Sequence, residues 1–332
     1  MGAGLVSFSG VEPQPYKYLW FPYLIEDNLN LLFGDGGGGK SFLSIAIVAA
    51  VTGGQPDGMP GLITQRGNVL LFAGEDDAPQ IKHRLLQTCA DPARVFFLDG
   101  GRICLDQTAL LRTYVRQVSA RLVVFDPIQA FIPGVDMNKA SEVRPLMEGL
   151  RAICREEHCT ALLIGHSNKM EKAGIAQHRA SGSSDFVNAA RSALLVGYHP
   201  TQDGLRCMAQ VKTNGERGDT VLFSIGCDGL TWAGRSDITG EEVMNNPRRK
   251  QALAPAINPV VTLIEREVLR HGGGWEAWPA DLPEAARRYP DLSPLHALPE
   301  IRIGSTIKTQ LQARGIHGVR ARNKPWFFSK EA

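Results

Sequence analysis

Asn30-Leu31-Leu32-Phe33-Gly34-Asp35-Gly36-Gly37-Gly38-Gly39-Lys40-Ser41-Phe42 is the stretch that decides the reading of this 332-residue chain. Asn30 to Phe33 is a short apolar run with strand character, and Phe42 to Val51 continues as an apolar run of helical length. Between them, two glycines separated by four residues precede a lysine and a serine. That spacing builds a loop whose backbone N–H groups converge on phosphate oxygens at a helix N-terminus. Gly34, Gly36, Gly37, Gly38 and Gly39 let the backbone come close to the ligand. Lys40 reaches the terminal phosphates, Ser41 ligates a divalent cation, and Phe42 opens the helix. ATP with Mg2+ is the expected ligand.

Working outward, four further apolar runs have the same strand character: Val69 to Phe72, Leu122 to Phe125, Ala161 to Ile164 and Ala193 to Val196. They alternate with longer helical patterns, the sign of a parallel α/β sheet. Three of the runs end in polar groups suited to phosphoryl chemistry. Glu75, in Ala73-Gly74-Glu75-Asp76-Asp77, could polarise an attacking water. Asp76 and Asp77 compete with it, although both suit a cap on a helix from Ala78 to Thr88, with Asp77 as N-cap. Asp126 ends its strand where a carboxylate reaches Mg2+ through water, and His166 ends the next strand beside the terminal phosphate. Later, Met208 to Val211 and Thr220 to Ile225 read as an antiparallel hairpin closing the sheet.

The composition supports a folded chain. Apolar residues make up 43% of it, enough for a core. No stretch approaches the roughly 18 uncharged apolar residues that a membrane span needs, and no leader pattern precedes Gly10. A soluble, cytoplasmic protein without a membrane partner is expected. The six cysteines are scattered without zinc-pair spacing and are expected to be free, mostly buried thiols. Lys and Arg number 36 against 34 Asp and Glu; from Asn246 onward they number 14 against 8, which leaves 22 against 26 upstream. The basic surplus therefore lies in the tail.

That division suggests a catalytic domain over 1–232, a linker over 233–256 and a small domain over 257–332. In the last, a helix from Ile257 to Arg270, a glycine break at Gly272 to Gly274, a helix from Ser305 to Arg314 and two short strands from Ile316 to Phe328 suggest a winged helix. Lys308, Arg320 and Arg322 would meet duplex phosphates there.

The motifs together resemble the RecA/DnaB superfamily of P-loop ATPases, in the branch of the RepA-type plasmid helicases and RadA-type recombination ATPases. The resemblance is carried by Gly34 to Ser41, Ala73 to Asp77, Leu122 to Phe131, Leu162 to Lys169 and Arg179 to Phe186. It implies a RecA-like core with a mostly parallel sheet, Lys40 and Ser41 for phosphate and Mg2+, Glu75 as catalytic base, Asp126 as the Walker-B carboxylate and His166 as a γ-phosphate sensor. The family works as rings, usually hexamers, with the site at a subunit boundary, so Lys212 or Arg217 would reach into a neighbour's site. It also implies two channel-facing loops, Ile132 to Val143 and Ser167 to Ser181, gripping single-stranded DNA through Lys169, Lys172 and Arg179. The function implied is an ATP-driven helicase or translocase in replication of a plasmid, phage or mobile element, with an initiator or loader protein as a further partner. Two alternatives are a RadA/RecA-like recombination ATPase and a regulatory module using ATP as a switch on a protein partner.

Overall fold

The computed structural model describes residues 7–54, 58–99, 103–137, 139–166, 185–226, 229–246, 259–296, 303, 305–312, 314–319 and 325–330. Two compact units account for the chain, Met1–Leu253 and Ala254–Ala332.

The first unit runs β1 (Tyr18–Phe21), β2 (Leu24–Ile25), β3 (Leu29–Gly34), α1 (Lys40–Thr52), β4 (Leu62–Ile63), β5 (Asn68–Ala73), α2 (Ala78–Gln87), β6 (Val95–Phe97), α3 (Thr108–Val118), β7 (Ala120–Asp126), α4 (Ala140–Glu156), β8 (Thr160–His166), α5 (Asp185–Ala189), β9 (Ser192–Tyr198), β10 (Leu205–Thr213), β11 (Thr220–Gly226), β12 (Gly229–Ser236) and α6 (Gly240–Asn245). Nine strands form one sheet in the order β12-β11-β10-β9-β3-β8-β7-β5-β6. From β9 to β6 all neighbours are parallel; β9 to β12 are antiparallel. This is the expected α/β core with a mostly parallel sheet.

The central strands are apolar on both faces because both are covered. Leu31, Phe33, Phe72, Val123, Phe125 and Leu163 belong to one core layer with α3, α4 and α6 residues such as Leu111, Met147 and Val243. Their neighbours Leu32, Leu71, Leu122, Val124, Leu162 and Ile164 belong to the other, with nearly the whole of α1. Alternate side chains point to opposite faces, so each strand feeds both layers. Helix α1 is buried from Leu43 to Thr52, which explains why its sequence is apolar all round. It begins at Lys40, two residues before the expected start.

The stretch from Ala233 to Pro255, expected to be a linker, departs from that reading. Its first residues finish β12, paired with β11, and α6 follows with a capping box between Thr239 and Glu242. Val243 and Met244 are buried in the sheet's core. Only tertiary packing makes so short a helix stable. The division between units therefore falls after Leu253, not after residue 232. The loop expected from Ile132 to Val143 is shorter than that. Both end residues are buried, and from Ala140 it is helix.

The second unit comprises α7 (Pro259–Arg270), β13 (Gly274–Ala277), α8 (Leu282–Ala286), α9 (Ser305–Gln312), β14 (Ile316–Val319) and β15 (Trp326–Lys330). The antiparallel sheet has the order β13-β15-β14. Among the described residues three helices share a core with this small sheet. Val261, Ile264, Leu282, Leu311 and Phe328 lie in its core. Glu267, fully buried, accepts hydrogen bonds from the Tyr289 hydroxyl (2.9 Å) and the Arg288 guanidinium (3.0 Å). Those bonds satisfy a carboxylate that would otherwise be costly to bury.

Candidate nucleotide site

The parallel register brings the motifs together. Gly34 lies beside His166 on β8 and Val196 on β9, and Ala73 lies beside Asp126. The carboxyl ends of β3, β5, β7 and β8 therefore share one edge of the sheet, where open α/β sheets bind ligands. A cavity of about 300 Å3 opens there, lined by the phosphate loop together with Glu75, Asp76, Arg84, Asp126, His166 and Arg206.

Two glycines in the loop are forced by space. A Cβ at Gly34 would stand 2.2 Å from the Val196 carbonyl oxygen, so only glycine lets the strand end run this close to β9. Gly39 has φ of 96° and is the N-cap of α1, a left-handed position that glycine occupies without strain.

Lys40 is buried, and its ammonium donates to the carbonyls of Gly34 (3.0 Å) and Asp35 (2.8 Å), with His166 Nδ1 at 3.5 Å. Burial pulls its pKa down, and the carboxylates of Asp126, Asp35 and Glu75 push it back up. Burial raises the Asp126 pKa, while a hydrogen bond from Ser41 and the charge of Lys40 lower it. The pair is mutually supporting: a buried cation beside a partly buried anion.

The donor set fits a divalent cation. Ser41 and Asp126 supply hard oxygen ligands, and the carboxylates outnumber the cations around Lys40. No group of three or more His, Cys, Asp or Glu able to hold a metal alone occurs among the described residues. A cation here would need the substrate's phosphates as further ligands, as Mg2+ at nucleotide sites does.

The acidic stretch divides by role. Asp76 is clamped by Arg84, at 2.5 and 3.4 Å. Asp77 is the N-cap of α2 by backbone position without a side-chain cap bond. Glu75 is exposed at the cavity. The guanidinium of Arg84 also lies 5.2 Å over the Phe42 ring. Arg84 and Arg206 were not expected from the sequence. Neither sits in a motif, and the i, i+8 spacing of Asp76 and Arg84 is the one signal that could have indicated a contact across a turn.

Other expected site residues lie elsewhere. Lys212 on β10 is opposite Ala193, near the start of β9, at the edge of the sheet away from the phosphate loop. Its ammonium donates to the carbonyls of Val187 (2.7 Å), Asn188 (3.0 Å) and Ala190 (2.8 Å), closing the end of α5. Arg217 donates to the Gln210 carbonyl at 3.0 Å. Neither lines the cavity of its own chain. Lys308 on α9 is exposed, its ammonium 4.9 Å from the Trp326 ring centre. Lys169, Lys172, Arg179, Arg320 and Arg322 lie outside the described residues. Of the cysteines, Cys154, Cys159 and Cys207 are buried and free, Cys104 is partly buried and Cys89 exposed. No helix among the described residues is long and apolar enough to cross a membrane.

A KaiC-like protein from the hyperthermophilic archaeon Pyrococcus horikoshii is similar to this chain at 16% identity, with a TM-score of 0.45 over 65% of this chain and 93% of that one. A family profile described as AAA domain matches residues 4–172, the stretch from before β1 to beyond β8 that carries the phosphate loop, Glu75, Asp126 and His166. The chain therefore belongs to the AAA-domain family of P-loop ATPases.

Proposed function

We propose that the chain hydrolyses ATP at this site and, as a ring-forming helicase or translocase of the RepA type, couples turnover to movement along single-stranded DNA. The observation that carries the hydrolytic reading is the separation of roles among the cavity's carboxylates. Asp126 is partly buried, with a hydrogen bond from Ser41 and the charge of Lys40 beside it, Asp76 is held by Arg84, and Glu75 remains exposed at the mouth. Glu75 takes the proton of a water whose oxygen attacks the γ-phosphorus, and ADP leaves in line. Mg2+, held by Ser41 and through water by Asp126, would neutralise charge on the phosphate oxygens. Lys40 exchanges its carbonyl partners for phosphate oxygens, and His166, beside it, is placed to sense the γ-phosphate.

Assembly and the DNA track rest on the resemblance carried by the sequence motifs. Lys212 and Arg217 sit at the sheet edge away from their own cavity, and in a ring either would act on the site of a neighbouring subunit. The decisive measurement is ATPase rate with and without single-stranded DNA on protein sized by light scattering, followed by strand displacement. Stimulation by single strands and unwinding by a multimer are expected. A multimer that hydrolyses ATP at the same rate without DNA and displaces no strand would overturn the helicase reading.

A further inference from the structure

Arg206 is one of two arginines at the cavity that no motif accounts for, and unlike Arg84 it has no carboxylate partner among the described hydrogen bonds and ion pairs. It lies near the start of β10, cross-strand from Tyr198 on β9, and its guanidinium rests 5.6 Å over the Tyr198 ring. The Tyr198 hydroxyl in turn donates to the carbonyl of Gly37 at 3.3 Å. The aliphatic stem of Arg206 also packs on the loop. A Cβ at Gly39 would stand 3.2 Å from Arg206 Cδ and 2.5 Å from Ile225 Cδ1. The arginine is thus fixed against the phosphate loop from two directions, by a ring underneath and by the turn at its side.

Its hydrogen bonding is incomplete. Nε is buried and meets no acceptor among the described residues. Lys40 has two carbonyls and Arg84 has Asp76. A buried guanidinium N–H without an acceptor costs free energy comparable to a lost charge-assisted bond, so such a group is expected to face a ligand that supplies one. The cavity it lines is the one whose loop is shaped for phosphate.

We propose that Arg206 binds the nucleotide held by its own chain's phosphate loop, with Nε donating to a phosphate oxygen and Tyr198 holding the guanidinium in place. This rests on reading the loop as a nucleotide site. It adds a contact made in cis, distinct from any cation supplied by a neighbouring subunit. Both ATP and ADP satisfy the bond, so Arg206 contributes to affinity for either rather than to recognition of the γ-phosphate alone.

The test is binding of fluorescent ATP and ADP analogues to full-length Arg206→Gln, Arg206→Lys, Lys40→Ala and unaltered protein, across a range of ionic strength, with melting of each protein without nucleotide. Affinity for both nucleotides is expected to fall about ten- to a hundredfold in Arg206→Gln, the range for a charge-assisted hydrogen bond. Arg206→Lys, which keeps the charge but loses the planar fork, recovers part of it. The ionic-strength dependence flattens in Arg206→Gln, because one charge–charge contact has gone, while melting without nucleotide stays close to that of the unaltered protein. If Arg206→Gln binds both nucleotides as tightly as the unaltered protein while Lys40→Ala does not, the contact is absent and the nucleotide site stands. An affinity loss in both Arg206 variants with an unchanged ionic-strength slope and a lowered melting temperature reduces Arg206 to a prop for the loop and also overturns the proposal. If the unaltered protein binds no nucleotide, it is the site reading that fails.

Discussion

Lys40 and Lys212 make the same gesture in opposite surroundings. Each points its ammonium at backbone carbonyls, two for Lys40 and three for Lys212, and burial lowers the pKa of both. Around Lys40 the next influences are the carboxylates of Asp126, Asp35 and Glu75, which favour its charge. Around Lys212 they are Arg191 and Arg151, which oppose it. Lys40 opens onto a cavity at the carboxyl edge of the parallel strands, whereas Lys212 closes a helix end at the other edge. Carbonyl contacts alone therefore do not mark a phosphate ligand. What separates the two is the charge around them and the open space in front.

The largest expected effect breaks the comparison at Lys40. Lys40→Ala should lower ATP affinity by roughly a hundredfold or more, since it removes a buried charge-assisted contact to phosphate. Lys212→Ala should leave ATP affinity of the isolated subunit within about twofold, because no ligand contact is removed. Calorimetric titration distinguishes them, and equal losses would mean the two lysines are not functionally distinct.

Next in size is Glu75→Gln, which keeps the side chain's shape and removes the base. Steady-state turnover should fall about 10²- to 10⁴-fold while ATP binding stays near that of the unaltered protein. Turnover that survives the change would pass the role of base to another carboxylate. Lys212→Met should then cost about 1–3 kcal/mol of stability in urea unfolding, because the part-buried carbonyls of Val187 and Ala190 at the end of α5 lose their donor. A variant as stable as the parent would show that water replaces the ammonium there. Smallest is Tyr198→Phe, which deletes the hydroxyl bonded to Gly37 but keeps the ring under Arg206. A neutral bond of this kind is worth about 0.5–1.5 kcal/mol, so ATP affinity should fall only severalfold; a drop as deep as that of Lys40→Ala would make Tyr198 more than a tether.

Much of the site was legible in the chain because its chemistry is local. Gly34 to Ser41 specifies a loop and helix start within eight consecutive residues, and Glu75, Asp126 and His166 each follow an apolar run that can only be a buried strand. Their shared edge follows once those strands are parallel. Arg84 and Arg206 were not legible, because neither neighbours a motif. Arg206 reaches the loop through the pairing of β9 with β10, and Arg84 through the turn that lays Asp76 across it. The segment from Ala233 onward was misread for a related reason. Its helix α6 has six residues and no long periodic pattern, yet Val243 Cγ1 sits so close to β9 that a Cβ at Gly197 would stand 2.5 Å from it.

The phosphate loop, the parallel α/β core, the carboxylates at its strand ends and the small basic module that follows can all be read from the chain alone, since each is written in contiguous residues whose periodicity or spacing has one physical solution. Tertiary packing settles which carboxylate stays exposed, which lysine opens onto the cavity, and that an arginine on β10, four strands from β7 in the sheet order, flanks the loop. Those outcomes depend on strand order, register and burial, which join residues far apart in the chain and leave no mark on any short stretch of it.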